Sequence, residues 1–434
     1  MAQRRKRPLP TQVASTRALR EFLATELVGG VVLLVATLAA LVWANSAWKG
    51  GYEQLWGTEL GIELGRWRLA LDLREWVNEG LMAVFFVLVG LELKREFLQG
   101  ELRGGRRAAL PVVAAIGGMV VPALLYSVFN LGGEGADGWG IPMATDIAFA
   151  LGVLAVVAPG VPATLRLFLL TLAIVDDIGA IVVIAAFYTS DLEPAWLAAA
   201  FAVLIAVYGL RQVGLTFTPL FVGLGAALWL ALHASGVHAT LAGVAMGLLA
   251  PATPQLEREI VRSRGDELLD VFSAEAARTT TRLARQSVSQ LEWLEHTLHP
   301  WSSLVVIPVF ALANAGVSLT GEVMRDALTS PVTLGVLVGL VAGKTLGITG
   351  AAWLAYRTGL AELPSDVPFR QIAGVAALGG IGFTVSLFVT ELAFDDASIA
   401  AEAKVGILAA SLAATLLGWL LLSAHNRTSE VQNT

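Results

Sequence analysis

Asp176 and Asp177 stand side by side in the middle of an apolar stretch running from Leu167 to Tyr188. That stretch is long enough to cross a bilayer, whose ~30 Å core takes about 20 helical residues. A carboxylate at the centre of such a helix costs ~2.5–3.5 kcal/mol on the insertion scale, and a tandem pair doubles that. Neighbouring side chains on a helix point ~100° apart, so both cannot hide on one packed face; at least one must meet a cavity, a cation or a partner group. An interhelical hydrogen bond that holds a bundle together is the alternative, although Asn or Ser would make one with less desolvation. Two more expensive residues lie in apolar runs: Asp146 beside the hydroxyl of Thr145, and Lys344 between Gly343 and Thr345. A lysine among three carboxylates reads as a counter-charge, either to an aspartate or to unsatisfied helix-end carbonyls; snorkelling to an interface is the competing reading. Oxygen-only ligands suit a hard cation, and no His or Cys cluster here suggests a transition metal.

The elements that must position these groups follow from composition. Of 434 residues 56% are hydrophobic and only 15% charged, with mean hydropathy +0.70. Soluble domains carry about 25% charged residues, so this is an integral membrane protein. With no cysteine, disulfides, thiolate metal sites and cysteine nucleophiles are excluded. The run Leu27–Ala44 follows Arg4, Arg5, Lys6 and Arg7 and reads as a retained first helix, being too long for a signal peptide. About twelve spanning segments are predicted, near 25–45, 76–98, 108–130, 143–158, 163–188, 194–210, 216–234, 237–251, 301–319, 332–356, 370–393 and 399–423. Loops with Lys94, Arg95, Arg103, Arg106 and Arg107, with Arg166, and with Arg211 alternate with acidic loops holding Glu134 and Asp137, Asp191 and Glu193, and Asp395 and Asp396. The alternation predicts that both termini are cytoplasmic. The chain then divides into a cytoplasmic tail 1–24, a twelve-helix body 25–423 that includes a cytoplasmic loop 252–300 with some amphipathic helix around Arg258–Asp270, and a tail 424–434.

Segments four and eleven are interrupted, by Pro142 ahead of Ala144-Thr145-Asp146-Ile147-Ala148-Phe149 and by Gly379-Gly380-Ile381-Gly382-Phe383-Thr384. Aligning Asp146 with Gly380 places Ile on Ile and Phe on Phe. Segments three to five and ten to twelve then become three-helix units of opposite topology, that is, inverted repeats. Broken helices at matching positions point to a midplane ion site in a secondary transporter, because free carbonyls and half-helix ends face each other there. Between segments one and two, Ile62-Glu63-Leu64-Gly65-Arg66-Trp67-Arg68-Leu69 alternates polar and apolar residues around a Gly65-Arg66 turn and predicts a small external β-hairpin.

Several long strings, in order, carry a resemblance: Leu81-Met82-Ala83-Val84-Phe85-Phe86 continuing to Gly90-Leu91-Glu92-Leu93-Lys94-Arg95-Glu96, Ala144-Thr145-Asp146-Ile147-Ala148-Phe149-Ala150, Ala173-Ile174-Val175-Asp176-Asp177-Ile178-Gly179-Ala180, Gly236-Val237-His238-Ala239-Thr240-Leu241-Ala242-Gly243 and Leu298-His299-Pro300-Trp301. From about residue 20 to 423 the chain resembles the bacterial NhaA family of sodium/proton antiporters. The resemblance implies a cation and proton site on Asp176 and Asp177, with Thr145 and Asp146 at the crossing of the broken helices and Lys344 as the intramembrane cation. It places a pH-response region on Glu92, Arg95, Glu96, Glu295, His296 and His299, with His238 near the opposite face. It also implies a homodimer joined by the hairpin and a place in the bacterial cytoplasmic (inner) membrane. The chain departs from the family pattern at Glu79, Glu292 and Trp293, which bears on pH response more than on transport. Ordinary readings remain beside these: His238 could cap segment eight, and Glu92 and Glu96, with Lys94 and Arg95, could be a solvated helix end.

The expected activity is exchange of cytoplasmic Na+ or Li+ for external H+, serving salt tolerance and pH homeostasis, with no cofactor, no enzymatic reaction and no nucleic-acid partner. Burial lets carboxylates hold protons near neutral pH, and a cation that binds the ionised pair displaces them. If both discharge, two protons leave for one sodium and exchange is electrogenic; a deprotonating Lys344 could supply one of the two instead. A sodium-coupled symporter of organic anions would share the repeat plan, but nothing beyond Lys344 offers an anion pocket. An intramembrane aspartyl protease would need aspartates on separate helices, one in a Gly-x-Gly-Asp context, and the Gly-Asp pair present, Gly265-Asp266, is in a polar loop.

Overall fold

The structure is a computed structural model that describes residues 10–64, 67–100, 106–189, 192–215, 217–254, 279, 281, 285, 287–363 and 367–432. With no water in the membrane core, the backbone must satisfy its own hydrogen bonds, and the apolar runs accordingly form helices. These are α1 (Pro10–Ala44), α2 (Lys49–Trp56), α3 (Leu73–Gln99), α4 (Arg106–Asn130), α5 (Ile147–Val157), α6 (Ala163–Phe187), α7 (Pro194–Gln212), α8 (Thr218–Ala234) and α9 (Leu241–Leu249). They continue with α10 (Gln290–Asn314), α11 (Gly321–Thr329), α12 (Pro331–Arg357), α13 (Phe369–Leu378), α14 (Phe383–Ala393) and α15 (Ala397–Gln432). Among the described residues, eight helices are long and apolar enough to cross a membrane, and two bent pairs raise the number to as many as ten. The protein is therefore helical and multi-pass. The hairpin sequence forms antiparallel strands β1 (Glu59–Leu64) and β2 (Trp67–Asp72), in register from Glu59 opposite Asp72 to Leu64 opposite Trp67; the Gly65-Arg66 turn lies outside the described residues.

Several boundaries differ from the sequence reading. α1 begins at Pro10, inside the expected tail 1–24, and α15 continues to Gln432, through most of the expected tail 424–434. The expected loop 252–300 is helical from Gln290 onward, because the Ser289 hydroxyl caps the helix by accepting from the Glu292 N–H (3.1 Å). That helix runs on through a π turn at Ser302–Val306 to Asn314, so Glu295, His296 and His299 sit inside it rather than ahead of a segment beginning at 301. The expected amphipathic stretch Arg258–Asp270 lies outside the described residues. Segment 237–251 reduces to the nine residues of α9, about 13 Å of helix, since the turn before it uses Gly236 at φ +79°, a left-handed conformation glycine adopts freely.

The chain forms two compact units. The first comprises Met1–Thr58, Gly105–Ala180 and Ser303–Thr434. In it α4 and α12 touch backbone to backbone at Gly117 and Gly347, where a side chain on either would strike the other's carbonyl. Such close approach through small residues replaces the hydrophobic drive that lipid removes. α12 is interrupted by a π turn at Gly339–Gly343, directly ahead of Lys344. The second unit comprises Glu59–Gly104 and Ile181–Ser302. There α3 and α9 pack just as closely, a Cβ on Gly90 falling 2.6 Å from the Val244 carbonyl oxygen. Trp76 stacks on Trp229 and Trp229 on His233, with ring centroids 5.9 and 5.4 Å apart, and His233 Nδ1 lies 3.1 Å from Glu79 Oε2.

Candidate cation and proton site

Asp176 and Asp177 lie midway along α6, in the first unit, with relative exposures of 0% and 8%. Lys344, fully buried at the first position after the π turn of α12, ion-pairs with Asp176 Oδ2. A π turn inserts one extra residue into a helix and re-aims the side chains beyond it, a device often found at functional sites. The Thr145 hydroxyl oxygen lies 2.8 Å from the same Oδ2. Among the described residues Asp176 Oδ1, also buried, makes no hydrogen bond. One oxygen of Asp176 is thus committed to a cationic partner and a hydroxyl while the other remains available.

The two interrupted helices meet beside this pair. The 3₁₀ helix Ala136–Met143 and α5 are separated by the extended residues Ala144–Asp146 and bend by 45°; α13 and α14 are separated by residues 379–382 and bend by 49°. The two breaks are hydrogen-bonded to each other. Asp146 N–H donates to the Ile381 carbonyl (2.7 Å), the Thr145 hydroxyl is 2.8 Å from the Gly379 carbonyl oxygen, and the Ser386 hydroxyl donates to the Ile141 carbonyl (2.7 Å). Asp146 caps both downstream half-helices. Its Oδ1 accepts the Phe149 N–H of α5 (3.0 Å), and its Oδ2 accepts the N–H (3.1 Å) and hydroxyl (2.6 Å) of Thr384 in α14. A carboxylate between two helix N-termini faces the positive ends of both dipoles and their orphan N–H groups. Thr384 and Ser386 were missed as site residues from the sequence. The alignment of Asp146 with Gly380 held the signal, since it brings residue 384 one position past the matched phenylalanines.

The glycines of the second break are present for proximity rather than for unusual torsions. Gly379 and Gly382 have φ of −59° and −88°. A side chain on Gly380 would strike the Leu340 carbonyl, and a Cβ on Gly382 would lie 3.2 Å from the Ala144 carbonyl oxygen.

The family model for Na+/H+ antiporter 1 matches residues 20–422. The chain belongs to that family. The antiporter is 50% identical over 409 residues to Na(+)/H(+) antiporter NhaA 3 of Frankia alni, covering 93% of this chain and 88% of that one. It is 44% identical to Na(+)/H(+) antiporter NhaA of Oleidesulfovibrio alaskensis (95% and 94% covered) and 47% identical to that of Bordetella parapertussis (95% and 97%). In fold it is similar to the sodium proton antiporter MjNhaP1 of Methanocaldococcus jannaschii, with TM-score 0.51 at 14% identity over 94% of this chain and 98% of that one. The antiporter exchanges Na+ for H+ across a membrane that it crosses several times.

The residues expected to respond to pH lie in the second unit. Arg95 of α3 ion-pairs with Glu295 of α10, and Glu292 and His299 act on Glu295 electrostatically. Lys94 donates to the Leu248 (2.7 Å) and Ala250 (2.6 Å) carbonyls at the C-terminus of α9, and so secures that helix end. Glu96 is buried with its carboxylate against Gly100, Glu92 is half-buried, and His296 is exposed. His238 does not cap α9, whose N-cap is Thr240; its Nε2–H donates to the Tyr188 carbonyl just beyond α6 (2.6 Å). Among the described residues no group of three or more His, Cys, Asp or Glu is arranged to hold a metal ion.

Proposed function

We propose that the antiporter expels cytoplasmic Na+ or Li+ in exchange for external H+, electrogenically and under pH control, with Asp176 and Asp177 as one site for which cation and proton compete. The observation that carries this is Asp176 itself: Oδ2 held by Lys344 and Thr145, Oδ1 uncommitted, beside a second carboxylate and two helix breaks. A cation needs ionised oxygens, whereas protons occupy the same atoms, so occupancy by one expels the other. Lys344 keeps the empty ionised site from being a bare buried charge. Asp146, capping both half-helices, offsets their dipoles without entering the exchange. The matched breaks support inverted three-helix units that present the site alternately to each side. With α8 and α9 counted, twelve segments and cytoplasmic termini in the bacterial inner membrane fit the loop charges.

The test is flux in proteoliposomes. Sodium or lithium should dissipate an acid-inside gradient without organic substrate, and a clamped membrane potential should change the rate; a rate indifferent to potential would rule out electrogenic exchange. In the same assay Glu295→Gln, which removes the charge facing Arg95, should move the pH midpoint by up to ~0.7 unit, matching the ~1 kcal/mol of a partly exposed ion pair. Sodium affinity at high pH should hardly change. A profile reduced in height with its midpoint fixed would count against a regulatory role.

The two strands β1 and β2 support a homodimer, because an isolated two-stranded sheet is marginal in water and gains from pairing with its twin. Deleting residues 60–70 should leave active monomers on native mass measurement, and an unchanged dimer would refute this.

A further inference from the structure

The nine residues of α11 (Gly321–Thr329) divide into two faces. At about 100° per residue, Val323, Ala327, Met324 and Leu328 share an arc of roughly 140°, and Arg325, Asp326 and Thr329 fall outside it. The protein covers one side of that arc and leaves the other open. Ala327 is buried and α11 packs against α12 and α15, while Met324 is exposed and Leu328 is 71% exposed. Leu319, just ahead of the helix, is exposed as well. Apolar side chains grouped on one side of an amphipathic helix mark a surface that something apolar covers.

Position decides what covers it. Ser330 ends α11 and caps α12, accepting from the N–H groups of Val332 (3.1 Å) and Thr333 (3.4 Å). No slack separates the two helices, so Leu328 lies at the mouth of a membrane-spanning helix that begins at Pro331. The chain entering α11 is held at the same level from the other side: Asn45, just past the end of α1, donates to the Val317 carbonyl (2.8 Å) and accepts from the Leu319 N–H. Val42, a turn before Asn45 on the spanning helix α1, is 68% exposed and faces lipid; Trp48, just beyond, is 78% exposed. Tryptophan favours the headgroup level. Both ends of α11 are thus fixed where spanning helices leave the hydrocarbon, and its open apolar side continues their lipid-facing surface. The helix carries Glu322 and Asp326 against Arg325 alone, so nothing draws it to anionic headgroups in particular. Apolar burial is the attraction that remains.

We propose that α11 is an interfacial helix lying in the plane of the membrane surface, with Met324 and Leu328 bedded between headgroups and acyl chains, Ala327 against the protein, and Arg325 and Thr329 in water. Helices of this kind sink their apolar side ~5–10 Å into the headgroup and acyl boundary. The inference depends neither on the ion site nor on which membrane face α11 occupies.

The absence of cysteine from the chain makes the test direct. Met324→Cys, Leu328→Cys, Arg325→Cys and Thr329→Cys, all at exposed positions, each carry one environment-sensitive fluorophore in the full-length protein, purified and reconstituted in phosphatidylcholine vesicles. Sodium-driven proton flux equal to the parent's reports correct folding, and the probe at 324 gives the same reading if labelling at 328 disturbs flux. Probes at 324 and 328 should lose most of their fluorescence to lipids spin-labelled near the headgroup, less to lipids labelled near the chain end, and little to iodide in the water. Probes at 325 and 329 should be quenched by iodide and hardly by either lipid. The pattern should persist when phosphatidylglycerol replaces part of the phosphatidylcholine. Iodide quenching at 328 as strong as at 329 would mean that α11 stands in water. Protection from both quenchers would mean that a second copy of the chain covers it, and lipid quenching that appears only with phosphatidylglycerol would mean that headgroup charge, not apolar burial, holds it. Any of these three results would overturn the proposal.

Discussion

Asp177→Asn should abolish sodium-driven proton flux while leaving the protein folded. The amide keeps nearly the shape of the carboxylate, and position 177, on a long helix with 8% exposure, keeps its packing. What disappears is a group that can hold a proton in one half-cycle and balance a cation in the other. A neutral amide does neither; cation affinity alone should fall roughly ten- to a hundredfold, since each ~1.4 kcal/mol of cation binding is a factor of ten and a charge-assisted contact contributes ~1.5–3 kcal/mol, and the lost proton site removes the other half of the exchange. Flux is measured in proteoliposomes, with thermal unfolding in detergent compared with the parent. Full sodium-driven flux in a correctly folded variant would refute the assigned site.

Lys344→Met should cost stability first and transport second. Lys344 and Asp176 are both completely buried and paired. Removing one partner of such a pair leaves the other charge uncompensated and costs roughly 3–5 kcal/mol, even though replacing both can be neutral. The single variant should therefore unfold at a clearly lower temperature than the parent. Adding Asp176→Asn should recover most of the loss, the non-additivity that identifies a directly coupled pair. Exchange should fail in both variants if the pair belongs to the ion site. A double variant as unstable as the sum of its single variants would mean that the two residues do not act as a pair, and undiminished transport in the single variant would remove Lys344 from the mechanism.

Much of this protein is legible from residue types alone, for a physical reason: the membrane makes mistakes expensive. A charge in an apolar run of bilayer length has few inexpensive explanations, so Asp146, Asp176, Asp177 and Lys344 stand out from the sequence itself. Glycines and a proline in two apolar runs mark the breaks, and strict alternation marks β1 and β2. The sequence could not say which oxygen goes with which partner. That Asp176 rather than Asp177 takes Lys344 depends on where the π turn of α12 aims the lysine. That Asp146 caps both half-helices, accepting from Phe149 in one and from Thr384 in the other, depends on how the two breaks cross. Helix ends were also misplaced: α10 starts at a serine cap inside a polar stretch, where hydropathy carries no information but a single side-chain-to-backbone hydrogen bond decides the boundary. Burial costs are properties of single residues and are written in the sequence. Pairings are properties of surfaces brought together from positions 31 to 245 residues apart, and only the tertiary structure selects among them.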